Sequence, residues 1–426
     1  MVLGVLVHPS SSLPIALADG GSVVRGQAKK TVIANNFPGA DLGAKINAAD
    51  KALGNAAGEI LVRDGGTIST QVIINSGHSL RFSAGTYRIE TQLQDEGAFL
   101  LKSRTSVTGS GWNTVIVEPP KVGWIVFQSY EDIRSTPIHY SGDSQIAVSN
   151  LQIKGANPAT EGSVRQTITL GNCHDCHVEN IWFNGTGIIG VAAGGSALAG
   201  KFADTVTIRN NQFTQVAGQA VAVVNGRNVI IEGNRFIDSG RRGAQGMVPI
   251  DIEPNASNDI IQNIQVINNV IDSRGSNFLH GNGIVVQNGA ATLNFGPVLV
   301  KGNRIMGGGL VSGISGNIAS GIYIASLCEN VTVTENLVQR VAHSGIRLEG
   351  SKRISVTNNK LISTGTGGIV AFEVQNTSDS QILNNVVAVD PNSPLGNSAI
   401  LESGNSRGNV YRGNTDGQRP ITFFRR

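Results

Sequence analysis

The feature that most constrains this chain is an internal repeat. Residues 345–365 read GIRLEGSKRISVTNNKLISTG; moved back 125 positions, the pattern lies on AVAVVNGRNVIIEGNRFIDSG at 220–240, with Asn359 on Asn234. The same step falls at Asn150, Asn180, Asn211, Asn234, Asn269, Asn303, Asn336, Asn359, Asn385 and Asn414, with gaps of 30, 31, 23, 35, 34, 33, 23, 26 and 29 residues. A period of roughly 20–50 residues marks stacked units, none of which can bury its apolar face alone. Each unit here is strand and turn. VTIRNNQF, VTVTENLV and ISVTNNKL alternate apolar and polar residues as half-buried strands do, with Asn and Gly as punctuation. Asn tolerates left-handed backbone and bonds locally, and stacked Asn side chains can pair from one unit to the next. The unit lengths vary while the strands do not, so insertions fall in turns. These features predict an all-β chain folded as a right-handed parallel β-helix, a solenoid with coils about 4.8 Å apart.

The chain's 426 residues exceed one ordinary globular core, a limit a solenoid escapes because each coil touches only its neighbours. Residues 1–30 read as a leader: VLGVLV is followed by Ala16-Leu17-Ala18, an A-x-A pattern, although no basic segment precedes it and His8-Pro9 interrupts the apolar run. The expectation is a secreted or periplasmic protein. Residues 31–426 read as one β-helix domain, with regular coils over about 100–415. Within it, Leu42, Ile46, Ala49 and Leu53 share a helical face between an N-cap at Asp41 and a stop at Gly54. A short amphipathic helix over 41–54 ahead of a solenoid predicts an end cap.

Net charge is +3, which permits an acidic polymer as ligand without requiring one, and no basic cluster interleaved with aromatics argues for nucleic acid. No apolar run of about 18 residues predicts a membrane helix. Cys173-His174-Asp175-Cys176-His177 matches the CxxCH spacing of haem attachment and contains zinc-ligand types. Lying between two strand patterns, it reads instead as two small side chains at a turn.

FPGADLGAKINAADKAL, GEILV, SLRFSAGTYRI and VTGSGWNTVI together resemble the opening of the pectate-lyase-like β-helix superfamily. That group includes pectate lyases, polygalacturonases, alginate epimerases and lyases, fructotransferases and phage tailspikes. The set of NTD, DD and GHG motifs of polygalacturonases is not found, nor the DPH of alginate epimerases. The resemblance therefore implies the fold and a polysaccharide or oligosaccharide partner, but no single reaction. A homo-oligomer is compatible with it.

Strand alternation indicates which residues face outward. In IDIE, Ile250 and Ile252 turn inward, so Asp251 and Glu253 face solvent. Stacking the equivalent strands gives an outer column of Ala222, Asp251, Val285, Tyr323 and Arg347, and a second of Val224, Glu253, Gln287, Ala325 and Glu349; AILE at 399–402 adds Glu402. The register of Glu373 is ambiguous. Long loops before these strands bring Arg241, Arg242, His280 and His343 to one edge of the wall. Candidate catalytic residues are Asp251, Glu253, Tyr323, His343 and Arg347; candidate substrate-binding residues are Arg241, Arg242, His280, Gln287, Glu349 and Glu402.

Two like charges on one strand repel unless a cation, proton or substrate joins them. In a polysaccharide lyase, the first expectation, Asp251 and Glu253 would hold Ca²⁺ or shape a uronate site. A base among His343, Tyr323 and His280 would remove the α-proton, while Arg347 or Arg241 stabilises the enolate-like charge. In a glycoside hydrolase or fructotransferase, one carboxyl is general acid and the other nucleophile or base. The third reading is a sugar-binding shaft without catalysis. Each candidate also has a structural explanation, since outward Glu and Arg are usually solvated or paired, a turn His usually bonds locally, and Tyr323 can simply pack on the next coil.

Overall fold

The computed structural model describes residues 30–90, 97–118, 125–130, 142–155, 166–194, 201–240, 248–275, 281–307, 310–311, 314–315, 318–364, 370–388 and 399–426. Arg241, Arg242, His280 and the 1–18 segment lie outside them.

The fold follows from the repeat. Each coil contributes one short strand to each of three parallel sheets, so that the chain winds as a right-handed parallel β-helix. In the first sheet, Ile208, Ile231, Val266, Val300, Val333, Val356 and Ile382 stack in register. All are buried, so the β-branched inward positions form one continuous core. In the second sheet, Phe183, Phe213 and Phe236 stack nearly parallel, with centroids 4.5 and 4.9 Å apart. Each such aromatic pair adds about 1 kcal/mol beyond its buried area. A two-stranded antiparallel hairpin, Leu310–Val311 with Ile314–Ser315, stands apart from the three sheets.

Between the first and second sheets the coils from Asn211 onward turn through a left-handed residue followed by an inward Asn. Asn210, Asn268, Asn358 and Asn384 hold φ of 55–58°, and Gly233, Gly302 and Gly413 take the same place at 64–70°. The following residues, Asn211 to Asn414, form a buried ladder. The Nδ2 of Asn269 donates to Asn303 Oδ1 at 3.0 Å and to Ile231 O at 2.8 Å. Its Oδ1 in turn accepts from the Nδ2 (3.0 Å) and backbone N–H (2.9 Å) of Asn234. Each rung thus satisfies polar groups that the tight turn would leave buried and unpaired. Asn150 and Asn180 correct the repeat as read from sequence. Glu179 pairs with Arg209, so Asn180 aligns with Asn210 and not with Asn211. Asn150 and Asn180 are exposed left-handed residues (φ 56° and 55°), and Leu151 and Ile181 fill the inward place. The ladder therefore starts at Asn211, whose Oδ1 receives the Ile181 N–H at 3.0 Å.

The helix spans Leu42–Leu53 and covers the first coils, with Leu42, Ile46, Ala49 and Leu53 buried. Asp41 caps it, accepting from Gly43 N at 2.6 Å and Ala44 N at 3.3 Å, and the same carboxylate takes the Thr70 hydroxyl at 2.6 Å. These bonds hold the Asp41 carboxyl below the usual carboxylate range against the opposing effect of its partial burial. Gly43 is needed for this close approach, since a Cβ there would sit 2.2 Å from Thr70 O. Asp50 and His78, both buried, tie the helix to the first sheet through a 2.6 Å contact.

The Cys173–Cys176 segment lies in a strand, Cys173–Glu179, and not in a simple turn as the sequence reading has it. A left-handed corner at Asp175 (φ 56°) bends the strand so that both sulfurs turn inward and join in a disulfide. Neither thiol is then available to haem or zinc.

Candidate active site

The third sheet carries the site. Its register reproduces the column Ala222, Asp251, Val285, Tyr323, Arg347 and continues it to Glu373. The neighbouring column runs Gln287, Ala325, Glu349. Glu253 follows the Ile250–Ile252 strand, and its N–H reaches Val223 O at 3.0 Å. The outer face is not uniform. From Gln128 through Ala222 to Val285 the column is buried, and it opens only at Tyr323, Arg347 and Glu373.

Asp251 sits at the covered end of this transition. It faces outward as alternation requires, yet it is only 5% exposed, which corrects the expectation that it meets solvent. The flanking Ala222 and Val285 are covered with it, so this stretch of the outer face is enclosed and not open to solvent. Gln219 Nε2 donates to Asp251 Oδ2 at 3.2 Å, and Oδ1 has no hydrogen-bond partner. Burial, reinforced by the charge of Glu253 and only partly opposed by the Gln219 bond, pushes the Asp251 carboxyl up to about 7. Glu253 is half-buried two residues on. Positions i and i+2 of a strand stand about 6.5–7 Å apart.

Two coils beyond Asp251, about 10 Å along the axis, a second cluster occupies the open part of the wall. Tyr323 OH donates to Glu349 Oε2 at 2.5 Å. Arg347 places Nη2 2.9 Å from Glu349 Oε2 and Nε 3.2 Å from Glu373 Oε2, and its guanidinium lies 5.1 Å from the centre of the Tyr323 ring. The Ser344 hydroxyl also reaches Glu373 Oε2 at 3.4 Å. Burial first, then the bond to Glu349, pushes the Tyr323 phenol up to about 12. One cation therefore faces two carboxylates.

Other candidates are placed differently. Gln287 lies half-buried between the pair and this cluster. His343 is exposed in the turn before its strand, and its backbone N–H bonds Ala319 O at 2.7 Å. Glu402 corrects the outward reading. Ile400 and Glu402 pair with the inward Phe372 and Val374, so alternation in this strand is offset by one residue. Glu402 is 1% exposed near the C-terminal end of the coil stack, bound by Arg425 Nε at 2.7 Å and Asn409 Nδ2 at 2.9 Å. Asn414-Thr415-Asp416 spells NTD, but Asn414 is the last described ladder rung and Asp416 accepts the Gln418 and Arg419 N–H groups in a local turn.

Gln219 and Glu373 are the residues that sequence reasoning missed. Gln219 belongs to a turn outside any strand pattern, while Val370 and Ala371 are buried in succession before Phe372, which hides the alternation around Glu373. Asp251 and Glu253 give Ca²⁺ a poor donor set. The ion takes 6–8 oxygens from carboxylates, carbonyls and waters, and among the described residues no third Asp, Glu, His or Cys converges on the pair.

Residues 136–318 match a family model described as "Right handed beta helix region". No curated protein matches the chain. Solved structures do. The catalytic unit of a thermostable GH87 α-1,3-glucanase from Streptomyces thermodiastaticus aligns over 92% of this chain and 70% of its own, at 16% identity and TM-score 0.62. The A-module of an Azotobacter vinelandii mannuronan C-5 epimerase aligns over 91% and 96%, at 16% identity and TM-score 0.57. A tailspike of Escherichia coli bacteriophage HK620, solved with a hexasaccharide, aligns over 89% and 62%, at 12% identity and TM-score 0.56. Identities this low speak to the fold alone, and together with the stacked three-sheet register they show that this chain is a right-handed parallel β-helix protein.

Proposed function

We propose that this protein is a glycoside hydrolase that cleaves a polysaccharide lying along the outer face of the third sheet. The observation that carries the reading is the unequal pair on one strand. Asp251 keeps its proton to about pH 7 because it is buried beside Glu253, and Glu253 stands half-exposed next to it. A carboxyl that keeps its proton beside a more exposed second carboxyl suits the general-acid role. Asp251 gives its proton to the glycosidic oxygen as the C–O bond breaks. Glu253 either attacks the anomeric carbon or takes a proton from the attacking water. Gln219 fixes the Asp251 carboxyl, and Gln287 offers an amide to sugar hydroxyls on the next coil.

Elimination from a uronate, the first expectation from sequence, finds less support. It needs an uncompensated cation for the substrate carboxylate; of the two candidates, Arg347 is already paired with Glu349 and Glu373, and Arg241 lies outside the described residues. It needs a base near neutrality, and the Tyr323 phenol is held up at about 12. A neutral sugar suits this wall better. Among the structural neighbours the α-1,3-glucanase is consistent with such a ligand, whereas the mannuronan epimerase acts on a uronic polymer. The Cys173–Cys176 disulfide supports an oxidising, extracytoplasmic setting.

The test is mutational. Asp251→Asn and Glu253→Gln should each lower kcat by about a thousandfold or more, with the product anomer read by NMR reporting inversion or retention. Hydrolysis that survives both substitutions would remove the pair from the chemistry.

A further inference from the structure

Trp112 and Trp182 meet on the outside of the solenoid, on the second-sheet side and away from the carboxylate pair. Trp112 belongs to the turn before the Thr114–Val117 strand, and Trp182 opens the Trp182–Asn184 strand two coils further on. The coil between them presents Gln152, which is nearly buried although it lies on the outer face. To reach Trp182, the Trp112 indole must cross this intervening coil. Its Nε1–H donates to Asn180 O at 3.1 Å, 68 residues along the chain. The Trp182 Nε1–H donates to Thr214 Oγ1 at 3.0 Å. The ring centroids lie 5.5 Å apart at 48°. Trp112 remains 44% exposed, among few large apolar side chains so exposed in the described residues.

Both indole N–H groups are satisfied within the protein, so each ring is fixed before any ligand arrives and little side-chain freedom remains to be lost on binding. The surroundings are polar: Asn113, Asn150 and Asn180 are exposed, and Arg209 Nε pairs with Glu179 Oε2 at 2.7 Å. A fixed aromatic face ringed by amides and ions is too small and too polar for the core of a protein interface. It has the chemistry of a sugar subsite, where C–H groups of a pyranose lie on the ring and its hydroxyls meet the rim.

We propose that Trp112, buttressed by Trp182, is a second saccharide-binding site that holds one pyranose unit of a polysaccharide on the face of the solenoid remote from Asp251. The inference stands on the two indoles and does not depend on the hydrolase reading.

The test uses the full chain carrying Asp251→Asn, so that retention is measured without turnover. Mobility is compared in native gels cast with an α-glucan, a β-glucan or a galactomannan, with and without Trp112→Leu. At least one polymer should retard the protein, and Trp112→Leu should reduce that retardation severalfold at an unchanged Tm. Retardation unaffected by Trp112→Leu would overturn the proposal, as would absence of retardation by all three polymers. If Trp112→Leu does not fold, acrylamide quenching of the parent protein's tryptophan emission decides. Protection by one of these polymers, abolished in Trp182→Phe, supports the site; no protection overturns it.

Discussion

Removing the Asp251 charge should stabilise this protein, and the gain should depend on pH in a defined way. Burial first, then the charge of Glu253, raises the folded-state carboxyl to about 7 from the ordinary value of 3.8. Between these values the unfolded chain has released its proton while the folded chain still holds it. The unfolded state thus binds fewer protons, and stability falls as pH rises through this window. Below pH 4 the cost is nearly absent; above about pH 7 it is complete. At 1.36 kcal/mol per pH unit, the full separation corresponds to about 4 kcal/mol. Asp251→Asn has a similar volume, can keep a bond to Gln219, and does not ionise, so it escapes this cost. For about 400 cooperatively unfolding residues, at roughly 2.1 cal/mol/K each, the gain is a rise in Tm of about 5 °C. The assay is calorimetry of both proteins from pH 4 to pH 8. The Tm difference should be small at pH 4 and grow to several degrees by pH 8. A difference that stays flat, or has the opposite sign at high pH, would refute the claim that Asp251 is held protonated by burial and by Glu253.

The remaining predictions concern the scaffold and the second cluster. Asn269→Ala removes the acceptor for two Asn234 donors and a donor to Ile231 O, so denaturant unfolding should show a loss of about 3 kcal/mol. Asn180→Gly should be nearly neutral in the same assay, because glycine takes left-handed backbone readily and the Asn180 side chain is not a rung of the ladder. Alkylation of unfolded, unreduced protein should modify one thiol per chain, Cys328, and reduction should raise this to three. Arg347→Lys should cost about 1 kcal/mol, because an ammonium cannot reach carboxylates on two coils as the guanidinium fork does; an unchanged Tm would show that the pairing contributes little.

Much of the architecture is visible in the sequence because a solenoid writes its register locally. The Asn step and the alternation within IDIE, IVVQ, IYIA and IRLE were enough to predict the column from Ala222 to Arg347. The cap helix was readable for the same reason, from Asp41, Gly54 and one apolar stripe. What the alternation cannot give is cover. It points Asp251 outward but does not indicate that this part of the wall is covered, and the unusual protonation of Asp251 follows from that burial. Nor does it reveal a one-residue offset, such as the one that turns Glu402 inward to Arg425 and the one that separates Asn180 from the ladder. The Cys173–Cys176 bond depends on a left-handed corner at Asp175, repeated on neighbouring coils at Gln145, Thr205 and Asn228, which simple strand alternation does not show.

The most direct test of the catalytic account is the chemistry of the product. Wild type and Asp251→Asn should be incubated with neutral and uronic polysaccharides, and new reducing ends and ultraviolet-absorbing unsaturated ends scored side by side. The account predicts new reducing ends on a neutral polymer, no unsaturated ends, and loss of both product and turnover in Asp251→Asn. Unsaturated ends on a uronic polymer, or reducing ends formed equally well by Asp251→Asn, would contradict it.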